Sequence, residues 1–250
     1  MSDEDESGRN EAEGISSGEI ADHKSVVESV FTKNLCNKFE IFSYRNAATI
    51  LANGFPSQFK EFKDTLETFR ISKTMLRTPG GNKGPITRYF ESLMSKHVGW
   101  DETRILADLH VKLMHAKQSN KILSEYVRSG FLDGHRIDFL KGKVAIDFEW
   151  NSKDQTYDRD LYAFSAFYDA GAIDVGVIVT RGSSIDNNYL RALGRVLEKD
   201  GVTEGSELVV SKMGASTTWL GKLLYRLDAG RNGGCPVLAV GITPSCIAMD

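Results

Sequence analysis

From residue 144 to residue 151, apolar side chains recur at every second position, and no other segment constrains the fold as strongly. The apolar positions are Val144, Ile146, Phe148 and Trp150, and the positions between them are Ala145, Asp147, Glu149 and Asn151. Because a β-strand places alternate side chains on the same face, this pattern predicts a strand with one face against a core. Asp147 and Glu149 are then neighbours on the other face, roughly 7 Å apart.

The chain that follows this acidic strand predicts an α/β core. Residues 160–170 have apolar side chains at helical spacing, and residues 173–180 are a nearly continuous apolar run. Such a run is typical of a strand that is covered on both faces, so we expect the acidic strand to be central in its sheet. Upstream, residues 136–140 and 143–150 are predicted to form a hairpin about the turn at Lys141 and Gly142.

Helices and short strands are predicted elsewhere from the same periodicities. The predicted helices are residues 23–35, 45–53, 56–69, 85–97, 188–199 and a segment capped by Ser216 or Thr217 that runs to Leu227. The predicted strands are residues 39–44, 106–114 and 236–242, whereas residues 119–128 are predicted to be a short helix or a loop. The fold class is therefore α/β, with a central mixed β-sheet flanked by helices and a helical N-terminal third.

Charge is distributed unevenly along the chain. Residues 1–22 carry eight acids and one base, and without them 26 acids and 30 bases remain. We predict that residues 1–22 are a disordered acidic tail and that residues 23–250 form a single domain. The mildly basic body is compatible with a polyanionic partner without requiring one.

Cysteine and hydrophobicity patterns narrow the class of protein. The three scattered cysteines lack a CxxC pair and the five histidines lack ligand spacing, so a zinc site is not expected. No apolar run is long enough to span a bilayer, and the acidic N-terminus is unlike a signal peptide. We therefore expect a cytoplasmic protein with no membrane partner.

The acidic strand is a candidate metal site. Asp147 and Glu149 on one face, with Asp138 nine positions upstream of Asp147, supply the oxygen ligands that Mg²⁺ prefers. A bound magnesium ion that keeps open positions for water and phosphate points to phosphodiester chemistry. The alternative is a solvated acidic strand face, which is common.

These motifs resemble the type II restriction endonucleases of the BamHI, BglII and BstYI group, within the PD-(D/E)XK nuclease superfamily. The resemblance runs from about residue 44 to residue 242 and is densest in four segments: residues 137–139, 144–154, 158–161 and 173–181. It also includes the loop at residues 79–86 and the segment at residues 233–238. It implies a restriction-endonuclease-like catalytic domain over residues 23–250.

The resemblance also implies roles for individual residues. Asp138 and Asp147 would bind the metal together with the carbonyl of Phe148, and Glu149 stands where most of the superfamily has lysine. Glu149 would orient or deprotonate the attacking water or bind a second ion. The helical region from residue 85 to residue 100 would contribute a further acid near its end, here Glu102.

The implied activity is Mg²⁺-dependent cleavage of double-stranded DNA by a homodimer. The site would be a short palindrome containing GATC, of the form R/GATCY, cut to leave 5′ overhangs with 5′-phosphate and 3′-hydroxyl ends. Two alternatives remain open: a sequence-specific DNA-binding protein without cleavage, and a repair or junction-resolving nuclease of the same fold.

Several polar residues are candidates for DNA contact. The Gly/Pro loop at residues 77–88 offers Asn82 and Lys83 ahead of a helix, where a phosphate can bind, although a plain surface connection is an equal alternative. The other candidates follow the ends of the predicted strands: Asn151, Ser152, Lys153, Arg159, Arg181 and Ser183. For Arg181 and Ser183, an ordinary surface loop is the alternative.

Overall fold

A computed structural model of the chain describes residues 21–80, 83–118 and 120–248. Its centre is a six-stranded mixed sheet with the strand order β1-β9-β6-β5-β4-β3. The strands of this sheet are β1 (Phe39–Tyr44), β3 (Asp101–Met114), β4 (Ile122–Lys141), β5 (Val144–Glu149), β6 (Val175–Arg181) and β9 (Val237–Ile242). β5, β6 and β9 are parallel to one another, whereas β1, β3 and β4 pair antiparallel with their neighbours. The predicted mixed sheet is therefore confirmed.

Helices cover both faces of the sheet. The helices are α1 (Lys24–Glu28), α2 (Lys33–Lys38), α3 (Ala47–Gly54), α4 (Pro56–Thr68), α5 (Lys73–Arg77), α6 (Pro85–Met94), α7 (Thr156–Asp169), α8 (Asn187–Ala192), α9 (Val209–Lys212) and α10 (Leu220–Asp228). Helices α1–α6, α8 and α9 pack on the face that carries Val144, Ile146 and Phe148. Helices α7 and α10 pack on the face that carries Ala145 and Ile178. This arrangement is the predicted α/β fold, with its helical first third on one side of the sheet.

The acidic strand β5 is central, as its sequence context predicts. It lies between β4 and β6, and all six of its residues are buried. Close packing of α7 on this part of the sheet depends on Gly176 in β6, because a Cβ at that position would lie 2.3 Å from the ring of Phe164. The parallel β5-α7-β6 unit brings the start of α7 next to the carboxyl end of β5.

The longest strands form a ribbon that extends beyond the covered part of the sheet. β3 and β4 pair from Asp101↔Leu140 out to Met114↔Ile122, and most of their outer residues are exposed. The prediction of a helix or loop over residues 119–128 is wrong, because β4 begins at Ile122. The strand is defined by pairing with β3, a long-range contact that local periodicity does not reveal.

Other predicted boundaries also need correction. The helix predicted over residues 188–199 ends at Ala192, since Gly194 adopts a positive φ of 78° and the chain enters β7 (Arg195–Leu197), which pairs with β8 (Glu204–Leu208). The helix predicted over residues 23–35 is divided into α1 and α2, because the hydroxyl of Thr32 caps a second helix. The helix predicted over residues 85–97 ends at Met94.

The predicted cap of α10 is also wrong. Its N-cap residue is Trp219, and no side chain caps it there. Thr217 instead donates its hydroxyl to the carbonyl oxygen of Gly214, 2.8 Å away. Another two-stranded sheet, which is parallel, pairs β2 (Ile71–Ser72) with β10 (Ile247–Ala248). The strand β10 directly follows a 3-10 turn at Pro244–Cys246.

Most of the predicted acidic tail lies outside the described residues. Its last residue, Asp22, belongs to the folded body, since its carboxylate accepts hydrogen bonds from the hydroxyl of Ser43 and the backbone N–H of Asn46. The tail at residues 1–22 and the single domain at residues 23–250 remain predictions. Within the described ranges, every helix is too short or too polar to cross a membrane.

Candidate active site

Asp138 and Asp147 meet where two antiparallel strands separate. The backbone pairing of β4 with β5 ends at Phe139↔Ile146. At the next position, the N–H of Asp138 donates to Oδ1 of Asp147 at 2.9 Å, and the N–H of Phe148 donates to Oδ2 of Asp138 at 3.0 Å. The two carboxylates thus accept hydrogen bonds that backbone carbonyls accept in a regular strand pair. We call the point at Asp138 and Asp147, where β4 and β5 separate, the fork. Each retains a second oxygen that is not used in this exchange.

Glu149 lies two residues beyond Asp147 on the same face of β5. The apolar residues of β5 pack into the opposite core, so the carboxylates point toward the face covered by α7. Asp147 and Glu149 are 5% and 7% exposed, which rules out a solvated acidic strand face. A guanidinium nitrogen of Arg159, at the start of α7, lies 3.8 Å from Oε1 of Glu149.

A fourth carboxylate, Asp160, completes the cluster and was not predicted from the sequence. It is 3% exposed and accepts hydrogen bonds from Arg159 at 2.9 and 3.0 Å, both on Oδ1. Among the described residues, the buried Oδ2 of Asp160 has no N–H or hydroxyl partner, and the carboxyl group of Asp160 lies within hydrogen-bonding reach of Glu149. A sequence signal existed, because Asp160 occupies a core position of α7 three residues after Tyr157 and four before Phe164.

Burial disfavours the charged forms of all four carboxyl groups. It raises the pKa of Asp138, raises that of Asp147 well above its usual value, raises that of Glu149 to about 8 and raises that of Asp160 to about 6. Repulsion between the acids adds to the effect: the charge of Asp160 raises the pKa values of both Asp147 and Glu149. Arg159 offsets this repulsion only in part.

The donor set fits a hard divalent cation. It consists of carboxylate oxygens in a buried pocket and includes Oδ2 of Asp160, which no N–H or hydroxyl of the described residues reaches. Among the described residues, no three histidine, cysteine, aspartate or glutamate side chains already have the geometry of a metal site. A cation would therefore draw the free carboxylate oxygens together and relieve the repulsion that raises their pKa values.

Phe148 and Glu102 are placed differently with respect to this cluster. Phe148 lies between the two acids of β5, and its ring stacks on Phe90 with centroids 4.3 Å apart, which fixes the strand. Glu102 lies on β3, is exposed and pairs with Arg136 at 3.3 Å. Helix α6 ends at Met94, before Glu102. The acid of α6 whose charge raises the pKa of Asp138 is Glu91. The ligand roles of Phe148 and Glu102 remain predictions.

Polar residues border the carboxylates on the side of the β5–α7 connection. Asn151 adopts a positive φ of 58°, and no group in the described part of the chain forms a hydrogen bond with its buried Oδ1. The backbone of Ser152 is fixed by Thr218, which donates its N–H to the Ser152 carbonyl at 2.8 Å. The backbone of Lys153 forms an isolated antiparallel β-bridge with that of Thr217, and the Lys153 side chain is exposed.

The other predicted DNA contacts lie around the same end of the sheet. Lys83 is exposed, pairs with Glu91 at 2.6 Å and lowers the pKa of Asp138 by its charge. Its neighbour Asn82 lies outside the described residues. Arg181 and Ser183 line a cavity of about 480 Å³ beyond the end of β6. Arg181 is buried and donates to the carbonyl of Ile185, whereas the backbone N–H of Ser183 donates to Glu40.

Comparison with known proteins identifies the family. Residues 39–242 match the family model described as Restriction endonuclease BglII/BglIII, which covers every element from β1 to β9 and all four carboxylates. A search of curated proteins finds no match to the chain. Restriction endonucleases of this kind act on DNA and generally use divalent metal ions. Since the matched segment is most of the chain, the protein belongs to the BglII restriction endonuclease family and is a type II site-specific deoxyribonuclease.

Proposed function

We propose that this enzyme hydrolyses phosphodiester bonds of double-stranded DNA at a short palindrome with Mg²⁺ as its cofactor. The observation that carries the proposal is the fork between β4 and β5, where Asp138 and Asp147 each keep one oxygen free beside the buried Glu149. A buried cluster of carboxylate oxygens suits Mg²⁺ better than a softer metal.

Asp138 and Asp147 would hold the cation, with the carbonyl of Phe148 as a further ligand. A bound Mg²⁺ polarises the scissile phosphate and lowers the pKa of a bound water. Glu149 would orient that water and accept its proton, and its pKa, raised to about 8, suits a general base in mildly alkaline solution. In-line attack then leaves a 5′-phosphate and a 3′-hydroxyl.

Basic and polar side chains around the site would position the DNA. Exposed Lys83, Lys153 and Arg159 surround the carboxylates and are suited to phosphate contacts. Asn151, Ser152, Arg181 and Ser183 are suited to base edges or to the sugar-phosphate chain. The family resemblance supports a GATC-containing palindrome of the form R/GATCY, with 5′ overhangs.

A palindrome is read most simply by a two-fold homodimer, in which each protomer cuts one strand. We therefore propose a homodimer as the active form. Sedimentation equilibrium at micromolar concentration should give a mass near twice the 27.7 kDa of one chain. A monomer that stays monomeric on its cognate DNA would contradict this part of the proposal.

One of the two alternative functions is less consistent with the site, and the other differs only in its substrate. A protein that only binds DNA gains nothing from four buried carboxylates next to its phosphate contacts, because their charge repels the ligand. A repair or junction-resolving nuclease shares the fold, and only its substrate preference separates it from a restriction enzyme.

One experiment tests activity and specificity together. Plasmid DNA is incubated with the protein and Mg²⁺, the product ends are sequenced, and a sample with EDTA serves as the control. The proposal predicts discrete fragments whose ends fall at one palindrome with 5′-phosphate overhangs. Random ends, cutting confined to branched substrates, or intact plasmid would refute it.

A further inference from the structure

Glu40, on the edge strand β1, reaches across the sheet to the loop that follows β6. Its Oε2 accepts a hydrogen bond from the backbone N–H of Ser183 at 2.9 Å. Its Oε1 accepts hydrogen bonds from the backbone N–H of Ser184 at 2.9 Å and from the Ser184 hydroxyl at 2.5 Å. Because β9 lies between β1 and β6, the carboxylate joins two strands that are not neighbours in the sheet.

Two glycines leave the space for this contact. A Cβ on Gly241, in β9, would lie 2.9 Å from Cα of Gly182 and 3.3 Å from Cβ of Glu40. A Cβ on Gly182 would lie 2.7 Å from the carbonyl oxygen of Ile242 and 3.1 Å from Oε1 of Glu40. A side chain at either position would push the loop and Glu40 apart, so the close approach depends on both glycines.

The loop begins beside the active site. The strand pairing places Glu40, Gly241, Thr180 and Glu149 in one row across β1, β9, β6 and β5. Paired residues share a face of the sheet, so Glu40 lies on the same face as the active-site carboxylates, three strand spacings or roughly 14 Å from Glu149. The loop at residues 182–186 therefore starts two residues after the partner of Glu149 in β6.

The remaining contacts of the loop leave its tip to Glu40. The backbone N–H of Gly182 donates to the carbonyl of Ile242, and the backbone N–H of Ile185 donates to the carbonyl of Gly182. The guanidinium of Arg181 donates to the carbonyl of Ile185 at 3.0 Å. The two backbone N–H groups between these fixed points, at residues 183 and 184, are the ones that donate to Glu40. Ser183 is exposed at this tip and lines the cavity beyond β6.

We propose that Glu40 is a positioning residue, which holds the loop at residues 182–186 in the conformation in which Ser183 contacts duplex DNA. The inference rests on the proposed function, because it assigns the loop to the DNA beside the active site. Glu40 acts through the loop: its two carboxylate oxygens are used by Ser183 and Ser184, and charge-assisted hydrogen bonds of this kind are stronger than neutral ones. A rigid loop presents its polar groups without a loss of conformational freedom on binding.

The first test is hydrogen exchange, followed by mass spectrometry on the peptide that spans residues 182–186. Glu40→Gln replaces one acceptor oxygen by an amide NH₂, so the loop of the metal-free full-length variant should exchange about 10-fold faster or more. Glu207→Gln, the same chemical change at an exposed position of β8, is the matched control and should exchange as the wild type does. Excess plasmid DNA should slow exchange of the loop in the wild type and slow it less in Glu40→Gln. Wild-type exchange in Glu40→Gln, or no effect of DNA on the wild-type loop, would overturn the proposal.

The second test separates positioning from a purely structural role. It compares kcat/KM for a duplex with the mapped palindrome and for a duplex with one base pair of it changed. Glu40→Gln should lower kcat/KM on the palindrome by on the order of 10- to 100-fold and reduce the discrimination between the two duplexes. Ser184→Ala removes one of the three hydrogen bonds to Glu40 and should have a smaller effect in the same direction. A lower Tm with wild-type discrimination would show that Glu40 only stabilises the fold, and the proposal would be overturned.

Failure of the nuclease proposal gives a different result. Random ends or intact plasmid with the wild type would refute the proposed function. Hydrogen exchange of the loop, with and without DNA, requires no cleavage and still decides whether Glu40 positions the loop against DNA.

Discussion

Replacing the glutamate of the acidic strand should make the metal-free protein more stable while it removes activity. The pKa of Glu149 is raised from 4.5 to about 8, first by burial and then by the charge of Asp160. The folded state therefore binds a proton that the unfolded state has already released. This contribution to stability is fully present below pH 4.5 and is lost as the pH rises through 8. The side chain of Gln cannot ionise, so the Glu149→Gln variant should not lose this stability as the pH rises.

The size of the effect follows from the shift. Each pKa unit is worth about 1.4 kcal/mol, so full ionisation of the buried Glu149 costs on the order of 5 kcal/mol. The glutamine amide still requires desolvation and accepts a weaker, uncharged hydrogen bond from Ser152, which reduces the expected gain to about 2–4 kcal/mol at pH 9. For a protein of 250 residues this corresponds to a rise in Tm of roughly 5–10 °C.

The assay is thermal unfolding in EDTA at pH 5, 7 and 9, for the wild type, Glu149→Gln and the exposed control Glu207→Gln. The Tm of Glu149→Gln minus the Tm of the wild type should be near zero at pH 5 and should grow with pH. The Tm of the control should equal that of the wild type at all three pH values. Adding Mg²⁺ at pH 8 should stabilise the wild type more than the variant, because a cation that binds only the native state adds to its stability. A constant difference at all three pH values, or a variant that is less stable at pH 9, would refute this reasoning.

Three further changes probe other parts of the structure. Gly176→Ala should destabilise the protein by about 1–3 kcal/mol, since its Cβ would lie 2.3 Å from the ring of Phe164, and an unchanged urea midpoint would contradict this. In DNA-binding titrations, Lys153→Ala should reduce the slope of the logarithm of the association constant against the logarithm of the salt concentration by about 1. An unchanged slope would exclude a phosphate contact by Lys153. Tyr157→Phe removes a buried 2.6 Å hydrogen bond to Thr180 and should cost about 1–2 kcal/mol; a variant as stable as the wild type would show that this bond contributes little.

Local patterns predict the central part of the fold well. The alternation through β5, the apolar run of β6 and the helical spacing of α7 are each set by neighbours in sequence, and their order alone makes β5 central. The hairpin about Gly142 follows for the same reason, since Gly142 supplies the positive φ of 60° that the turn needs. The burial of Glu149 also follows once both flanking strands are in place.

Features that depend on distant contacts could not be predicted in this way. Residues 122–131 are a strand because β3 pairs with them, and their local sequence carries no clear alternation. The fork at Asp138 arises from an exchange of side-chain and backbone hydrogen bonds between strands, which spacing does not encode. The apolar pattern does not single out Asp160, because an acid at a core position of a helix is an exception to that pattern. Within a carboxylate cluster it is a signal of function.

The most direct test of the active site at Asp138 and Asp147 is Asp147→Asn, compared with the wild type and with Asp169→Asn. Plasmid cleavage in Mg²⁺ and binding to the mapped palindrome in EDTA are measured on the same preparations. We expect Asp147→Asn to lose cleavage by several orders of magnitude. Without metal it should bind DNA as tightly as the wild type or more tightly, because one repulsive charge is gone. Asp169→Asn should match the wild type in both assays. Cleavage by Asp147→Asn at the wild-type rate would contradict the assignment of the active site to the fork between β4 and β5.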